Sequence, residues 1–575
     1  MLACSAMVAC TNEDPIDNGS ENPALNGEKA YLAVRLVNSD ATTGRATAGE
    51  EPFWYGTTAE NEVATTHFYF FKDGAAYNVD SDNEISKILS WNTNGTDAAG
   101  QNVEKVAEAL IVLEGLKNTT TPTEIVAVLN KPASMTLAGK SLTQLQKELS
   151  TGIYNETNNF IMTNSTYKDD DVVNTFATKI TSANFIEDKP DATLAADKVV
   201  NIYVERLAAK VKVAVNADNE NLADTDEISL GEYTIKTGTN AQVTKELKIK
   251  IVGWGLNATT KNSYLVKSID ATNWTDNKFT AFNWNDANNH RSYWAKSTNY
   301  GNAEAVYPSS FSDAIDTEGS NVVTGTDKTN ANDATLNYIS WNELDQTLNK
   351  SLYCMENTNT AEILARSYYS AATQAVVAAQ IAGADGEDVT LVRYNKTLYT
   401  ADGFMARILN ELHLDIYKKE GQQYIGIDVE DLAVKNIYDG KVTIEAADDE
   451  TVWYIKSGDN YVEDNNNLLA TRIRDLAVEA EYYNDGMMYY AIPIEHLAGG
   501  KFEFVNNQPT LNEADYGVVR NHYYNITINK IENLGTSVYD PNEDIIKPTI
   551  DNTLYFIGAS INILSWKIVS QGVDL

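Results

Sequence analysis

The sequence predicts a mainly β protein: two tandem β-sandwich domains, a few short helices and an extended C-terminal strand. Three observations predict it. Apolar runs of strand length recur along the chain and close at Gly, Asn or Pro, the pattern of strands bounded by turns. Helical periodicity is confined to short stretches, with no βαβ rhythm and no repeat of the roughly 20–50 residues that mark solenoids and propellers. The chain's 575 residues exceed what one core serves, so two or more domains are expected.

In chain order, residues 1–10 ("MLACSAMVAC") are apolar and small, without a basic leader or a full apolar core segment. They read as the tail of a signal peptide that starts upstream of Met1. "MVAC" resembles the lipobox of bacterial lipoproteins. Cys10 is preferred to Cys4 as the lipid-bearing residue because the polar stretch starts directly after it. Residues 11–29 form an acidic tether. The N-terminal domain, 30–205, opens on "AYLAVRLVN", whose alternation sets Leu32, Val34 and Leu36 on one face. "SDATTGRATAGEEP" follows with no apolar anchor. "THFYFFKDG", "EALIVLEG" and "EIVAVLNKP" read as strands, and "SLTQLQKEL" as a short helix capped by Ser141.

A new strand set begins at "KVVNIYVERLAAKVKVAV", where Arg206 inside an apolar pair of strands marks the passage to the C-terminal domain, 206–537. Its strands include "ELKIKIVGWGL", "TQAVVAAQI", "KVTIEA", "MMYYAIPI" and "YYNITINKI". One helix opens at Ser340 with Glu343 three residues on, a capping box. Another follows Thr400, with Met405, Ile408, Leu409 and Leu412 at the spacing of a buried helical face. The polar stretch 298–336 is a loop or insertion. Residues 538–575 join the extended linker "TSVYDPNEDIIKPTIDN" to the apolar "SINILSWKIVSQGVDL".

Charge narrows the function. With 44 basic against 81 acidic residues the net charge is −37, which repels phosphate backbones and anionic lipid and argues against nucleic-acid binding. No run of about 18 apolar residues spans a membrane as a helix. Cys354, alone in the body of the chain, reads as a small buried hydrophobe.

The five histidines lack ligand spacing, and His496 reads as a structural hydrogen-bonding residue. "AGKS" at 138–141 lacks the first glycine of a phosphate loop. "DSDNE" at 80–84 is a solvated turn, because Ile85 stands where a calcium loop needs Gly. No cofactor and no metal are expected, and no carboxylate pair stands out for glycoside hydrolysis. Trp274, Trp284 and Trp294 lie among Asn and Asp. They either pin a long connection onto the sandwich or form a sugar-binding platform, since a pyranose face stacks on an indole.

Several segments resemble the stalk subunits of type V fimbriae from Gram-negative oral and gut anaerobes, above all the shaft subunit of the minor (short) fimbriae. "YGVVRNHYYNITINKIENLG" (516–535) is similar to the family's penultimate strand block, and "SWKIVSQGVDL" to its terminal strand. "IYVERLAAKVKV", "VGWGLNATTKNSYLVK", "RSYWA", "YCMENT" and "MMYYAIPIEHL" extend the likeness from about residue 30 to the end.

The resemblance implies two transthyretin-like β-sandwich domains and no catalysis. It implies a lipoprotein precursor exported to the outer membrane with its lipid on Cys10, and a mature form in cell-surface fimbriae. An arginine-specific or trypsin-like protease would cut Arg45–Ala46 and release the strand 30–38 with Leu32, Val34 and Leu36. The C-terminal strand of another copy would then fill the groove, building a head-to-tail homopolymer that also joins anchor and accessory or tip subunits. An accessory or tip adhesin of the same system, binding host protein or glycan, is the alternative.

The donor strand changes parity. Ile557, Ala559, Ile561 and Ile563 share one face, then Leu564, Trp566 and Ile568 take the other. A period of two cannot switch face without a bulge or a crossing, so a kink is expected at Ile563–Leu564. In an uncleaved monomer this strand is expected to be loosely placed.

Overall fold

The computed structural model describes residues 29–40, 56–89, 91–93, 102–114, 121–165, 167–169, 172–186, 198–269, 295–301, 336–366, 371–382, 389–412, 415–438, 440–448, 450–496, 503–505, 508–510, 515–545 and 567–574. The chain is mainly β, in several sheets with few and short helices.

The first lobe is built around β1 (Lys29–Asp40). On one side β2 (Asn102–Glu114) runs antiparallel to it over its whole length, from Lys29 opposite Glu114 to Asp40 opposite Asn102. On the other side Phe185–Ile186 pair with Leu32 and Tyr31, and β3 (Val200–Arg206) runs parallel to Val34–Val37. β1 is therefore an interior strand.

β3 then changes partner. Its second half, Val204–Arg206, pairs with Met162–Asn164, part of a facing layer that continues through Glu124–Leu129 and Thr66–Lys72. A strand that serves both layers closes one edge of a sandwich. Leu32, Val34, Ile111 and Leu113 of the first layer and Phe68, Phe70, Val126 and Val128 of the second belong to one buried core cluster. The expected cap of α1 (Leu142–Leu145) is present: the Ser141 hydroxyl accepts from the Gln144 amide, and the Gln144 side chain accepts from the Ser141 amide.

The second lobe starts one residue later. After Leu207 the chain continues as β4 (Ala208–Val215), which pairs antiparallel with β5 (Ser351–Met355). A ten-stranded sheet faces this pair, with Gln242–Asn257, Gln374–Ala382 and Met487–Pro493 running side by side. Val211 and Val213 meet Trp254, Val377, Met488 and Tyr490 in the second core.

The capping box at Ser340 and Glu343 closes only a single 3-10 turn, Trp341–Glu343. The backbone leaves helical geometry at Leu344 (φ −82°, ψ 63°), whose side chain is buried in the core. Two helices that the sequence did not announce are α2 (Ala361–Arg366) and, further on, the helix Leu468–Asp475; both are under three turns long. α3 (Ala401–Leu412) buries Met405, Ile408 and Leu412 as the spacing predicts, together with Phe404, while Leu409 is partly buried.

Beyond α3 lie four short strands: β6 (Ile416–Glu420), β7 (Gln423–Gly426), β8 (Trp453–Ser457) and β9 (Asn460–Glu463). They form a separate antiparallel sheet in the order β7-β6-β8-β9. α4 (Leu468–Asp475) follows and packs Leu469 and Ile473 into the same cluster as α3.

The chain then returns to the junction. β10 (His522–Lys530) runs parallel to β4, with Lys210 opposite Tyr523 and Val215 opposite Ile528. β11 (Lys567–Asp574) runs parallel to β10 and makes the outer edge of a sheet ordered β5-β4-β10-β11.

Gly440 has φ +74°, and a Cβ there would lie 1.9 Å from the Ser537 carbonyl oxygen. Gly440→Ala is expected to lower unfolding stability by at least about 1–3 kcal/mol from backbone strain alone, read as a lower midpoint in denaturant titration.

Candidate functional site

The crossover from β3 to β4 is lined with buried charge. Arg206 is fully buried. Its Nε donates to the Glu60 carbonyl at 3.0 Å, Nη1 to Asn521 Oδ1 at 3.3 Å, and Nη2 to Asn61 Oδ1. Beside it the Lys210 ammonium meets the Glu60 carboxylate at 2.6 Å, with both side chains almost without exposure. Tyr353 OH and the Thr57 amide also donate to that carboxylate. Burial pushes the Glu60 carboxyl up, but the hydrogen bonds from Lys210, Tyr353 and Thr57 outweigh it and hold the carboxyl below its ordinary range. The Lys210 ammonium also sits 5.0 Å from the Tyr523 ring centre.

A second buried assembly sits next to the first. Glu205 pairs with Lys267 at 3.1 Å, both fully buried. Burial raises the Glu205 carboxyl in spite of the cations Lys267 and Arg520. Arg520 pairs with Glu356 at 3.2 Å and donates to the Leu265 and Tyr264 carbonyls at 3.0 and 2.7 Å. Asn521, at φ +59°, donates its amide to the Ala208 carbonyl at 2.6 Å while its side chain accepts from Arg206. The "VRN" of the penultimate block thus clamps the crossover: Arg520 grips the 263–265 segment and Asn521 grips β3 and β4.

β10 stitches the two cores together. Tyr523 belongs to the first-lobe core, whereas Tyr524, Ile526 and Ile528 belong to the second. His496 Nδ1 is hydrogen-bonded to Tyr524 OH at 2.9 Å, and that hydroxyl also accepts from the Val519 amide. His496 is 1% exposed, in keeping with a structural hydrogen-bonding role. Cys354 is buried, and burial pushes its thiol up to about 12, which keeps it protonated and unreactive at neutral pH.

Around this junction lie the residues that the sequence singled out. Leu32 and Val34 are 0% and 1% exposed, and Ala33 between them is also buried. Leu36 occupies the next position on the Leu32 face, opposite Ala107 and beside Ile202. Ile568 is in β11, in register with Tyr523, while Val569 and Val573 stand in register with Tyr524 and Ile528. The described part of the strand expected to be loosely placed, Lys567–Asp574, is thus paired in cis along β10. The reason is that β10 otherwise ends the sheet with a row of unpaired backbone groups. Cys10, Arg45, Ala46, Trp274, Trp284, Trp294, Ile557, Ala559, Ile561, Ile563, Leu564 and Trp566 lie outside the described residues.

The chain is a mainly β protein in which a 12-residue interior strand and a C-terminal edge strand flank one charged junction. Residues 481–572, which carry β10 and most of β11, match the family described as "Major fimbrial subunit protein type IV, Fimbrillin, C-terminal". Over that segment the match bears out the resemblance to fimbrial subunits. No curated protein matches the chain.

Among solved structures it is similar to a provisionally named cell adhesion protein from Parabacteroides distasonis, at 10% identity and TM-score 0.33, covering 95% of this chain and 99% of that one. A fimbrial assembly protein from the same species shares 12% identity over 43% of this chain and 69% of its own, at TM-score 0.23. The tip fimbrial protein Mfa3 from Porphyromonas gingivalis, with a C-terminal truncation, shares 12% over 39% and 70%, at TM-score 0.18. All three likenesses are distant.

Removing one partner of a buried ion pair leaves the other charge uncompensated, at a cost of about 3–5 kcal/mol. Lys210→Met is expected to destabilise the chain on that scale. Glu60 has a lowered folded value, so its contribution is complete above its ordinary value of 4.5 and is lost as pH falls through the folded value. The stability difference between the native chain and Glu60→Gln, followed by denaturant unfolding from neutral pH downward, should therefore shrink below about pH 4.5.

Proposed function

We propose that the chain is a structural fimbrial subunit that polymerises by protease-triggered strand exchange. The observation that supports this reading is the interior position of β1. Twelve of its residues are in register with β2, and its other edge is paired with Phe185–Ile186 and β3. Leu32 and Val34 are buried in the core, each burial worth about 1.5–3 kcal/mol. Loss of β1 would leave two strand edges unpaired around an empty apolar channel, a state that persists only until another strand refills it.

Arg45–Ala46 lies between Asp40, where β1 ends, and Gly56, where the described chain resumes. After cleavage there, the segment that follows stays anchored, because Glu60 and Asn61 are tied to Arg206 and Lys210. Only β1 and what precedes it would be free to leave. In the precursor, Cys10 would carry the lipid that holds the chain at the outer membrane, and the protease would be arginine-specific or trypsin-like.

The donor is the C-terminal strand with Ile557, Ala559, Ile561, Ile563, Leu564, Trp566 and Ile568. Its cis position is a modest one: Lys567 and Gln571 stand in register with the core positions His522 and Ile526. A slot that accepts the more apolar part of the segment would bind it better, which favours exchange over self-pairing. Donor and acceptor are different surfaces, so the contact is head to tail and builds a filament.

Digestion of the purified precursor with a trypsin-like protease should give ladders on non-boiled gels and filaments in the electron microscope. Both should vanish in Arg45→Ala and in a chain lacking 554–575. Polymerisation that survives both changes would refute the reading.

A further inference from the structure

The small sheet β7-β6-β8-β9 carries a cluster of four tyrosines. Register sets Tyr417, Tyr424, Tyr454 and Tyr461 on one face: Tyr417 is opposite Tyr454, Lys419 opposite Tyr424, and Lys456 opposite Tyr461. β7 and β9 are the two outer strands. Even so, Tyr424 and Tyr461 stack with ring centres 4.1 Å apart and planes within 7°, so the two rings reach inward from the outer strands and meet over this face. Tyr417–Tyr461 and Tyr424–Tyr454 approach edge-on, at 4.8 and 5.0 Å. The Lys419 ammonium sits 5.6 Å from the Tyr424 ring centre and holds that ring in place. All four tyrosines are half-buried, and among the described residues none of their hydroxyls has a hydrogen-bond partner.

We propose that Tyr424 and Tyr461 are an oxidative cross-linking site that joins the two edges of this sheet as dityrosine when the protein meets hydrogen peroxide and a haem peroxidase. Each phenol loses one electron and its hydroxyl proton to the peroxidase. The unpaired electron spreads to the carbons ortho to oxygen. Two such radicals form one carbon–carbon bond, and each coupled carbon then passes its hydrogen to its own oxygen as the rings regain aromaticity. In sum, two hydrogen atoms leave the pair and one hydrogen peroxide becomes two waters.

The half-filled π orbitals lie perpendicular to each ring, so they overlap in the parallel pair and are nearly orthogonal in the two edge-on pairs. That selects Tyr424–Tyr461 among the three contacts. Holding the partners in place makes the coupling intramolecular, with effective concentrations of about 10⁵ M or more for well-aligned groups, far above any chain concentration. The closed loop would tie β7 to β9 across the two strands between them.

The test treats the full chain, dilute, with a haem peroxidase and hydrogen peroxide, then separates monomer and maps its peptides by mass spectrometry. The expected result is blue dityrosine fluorescence in the monomer and a linked peptide pair containing Tyr424 and Tyr461, two hydrogens lighter than its parts. Tyr424→Phe and Tyr461→Phe, which keep the ring packing, should each abolish that peptide, whereas Tyr417→Phe should retain it. Because the chain has 32 tyrosines, mapping rather than fluorescence decides. Cross-links that map to other tyrosines or appear only between chains would overturn the proposal, as would a linked peptide that persists in Tyr424→Phe.

Discussion

The architecture depends on one crossover. Between Arg206 and Ala208 a single residue carries the chain from one sandwich to the other, and the backbone there has no loop in which to hide polar groups. That backbone is satisfied locally: the Leu207 amide donates to the Ile161 carbonyl, the Arg206 amide to Asn521 Oδ1, and the Ala208 carbonyl accepts from the Asn521 amide. Charged side chains converge around it. Arg206 and Lys210 point their cations at Glu60 and Asn61, while Glu205 meets Lys267. Each ion here is desolvated, which is costly, and repays that cost only through several simultaneous hydrogen bonds. Such a cluster tolerates one arrangement of its partners. It ties residues of both lobes, Glu60 and Lys210 among them, into one buried network.

From that constraint the rest of the junction follows. β3 serves both layers of the first lobe because its first half is claimed by β1 and its second by Met162–Asn164. β10 must lie parallel to β4, since Asn521, directly before it, is held by Arg206 and by the Ala208 carbonyl. With β10 fixed, its outer edge is open, and β11 is the strand of the described chain that covers it. The slot of β1 and the seat of β11 are therefore two ends of one connected framework.

Much of this framework was legible in the sequence where a local signal exists. The alternation of "AYLAVRLVN" identified β1 and its buried face, and the spacing after Thr400 identified α3. Ser141 announced its cap. Short helices such as Ala361–Arg366 escaped because fewer than two turns show no period. The ion clusters escaped for another reason. Lys210 and Glu60 are 150 residues apart, and Tyr353 is 293 from Glu60, so no local pattern joins them. A signal was nonetheless present: Arg206 and Lys210 interrupt apolar strands where an unpaired charge would be prohibitive. Read as a demand for partners, those two residues announce a buried network without naming its other members. The cis seat of β11 could not be read either, because parity constrains which residues share a face but not which edge they meet.

The uninterrupted run from β3 through Leu207 into β4 also has a mechanical meaning. Tension applied along this ribbon passes from lobe to lobe through covalent backbone, without crossing a soft linker. The strands alongside it, β10 in parallel and β5 in antiparallel register, are then loaded lengthwise, so their hydrogen bonds must yield together rather than one after another. A protein pulled in that direction behaves as a stiff rod up to a high threshold, whereas the same strands peeled sideways would separate at small force.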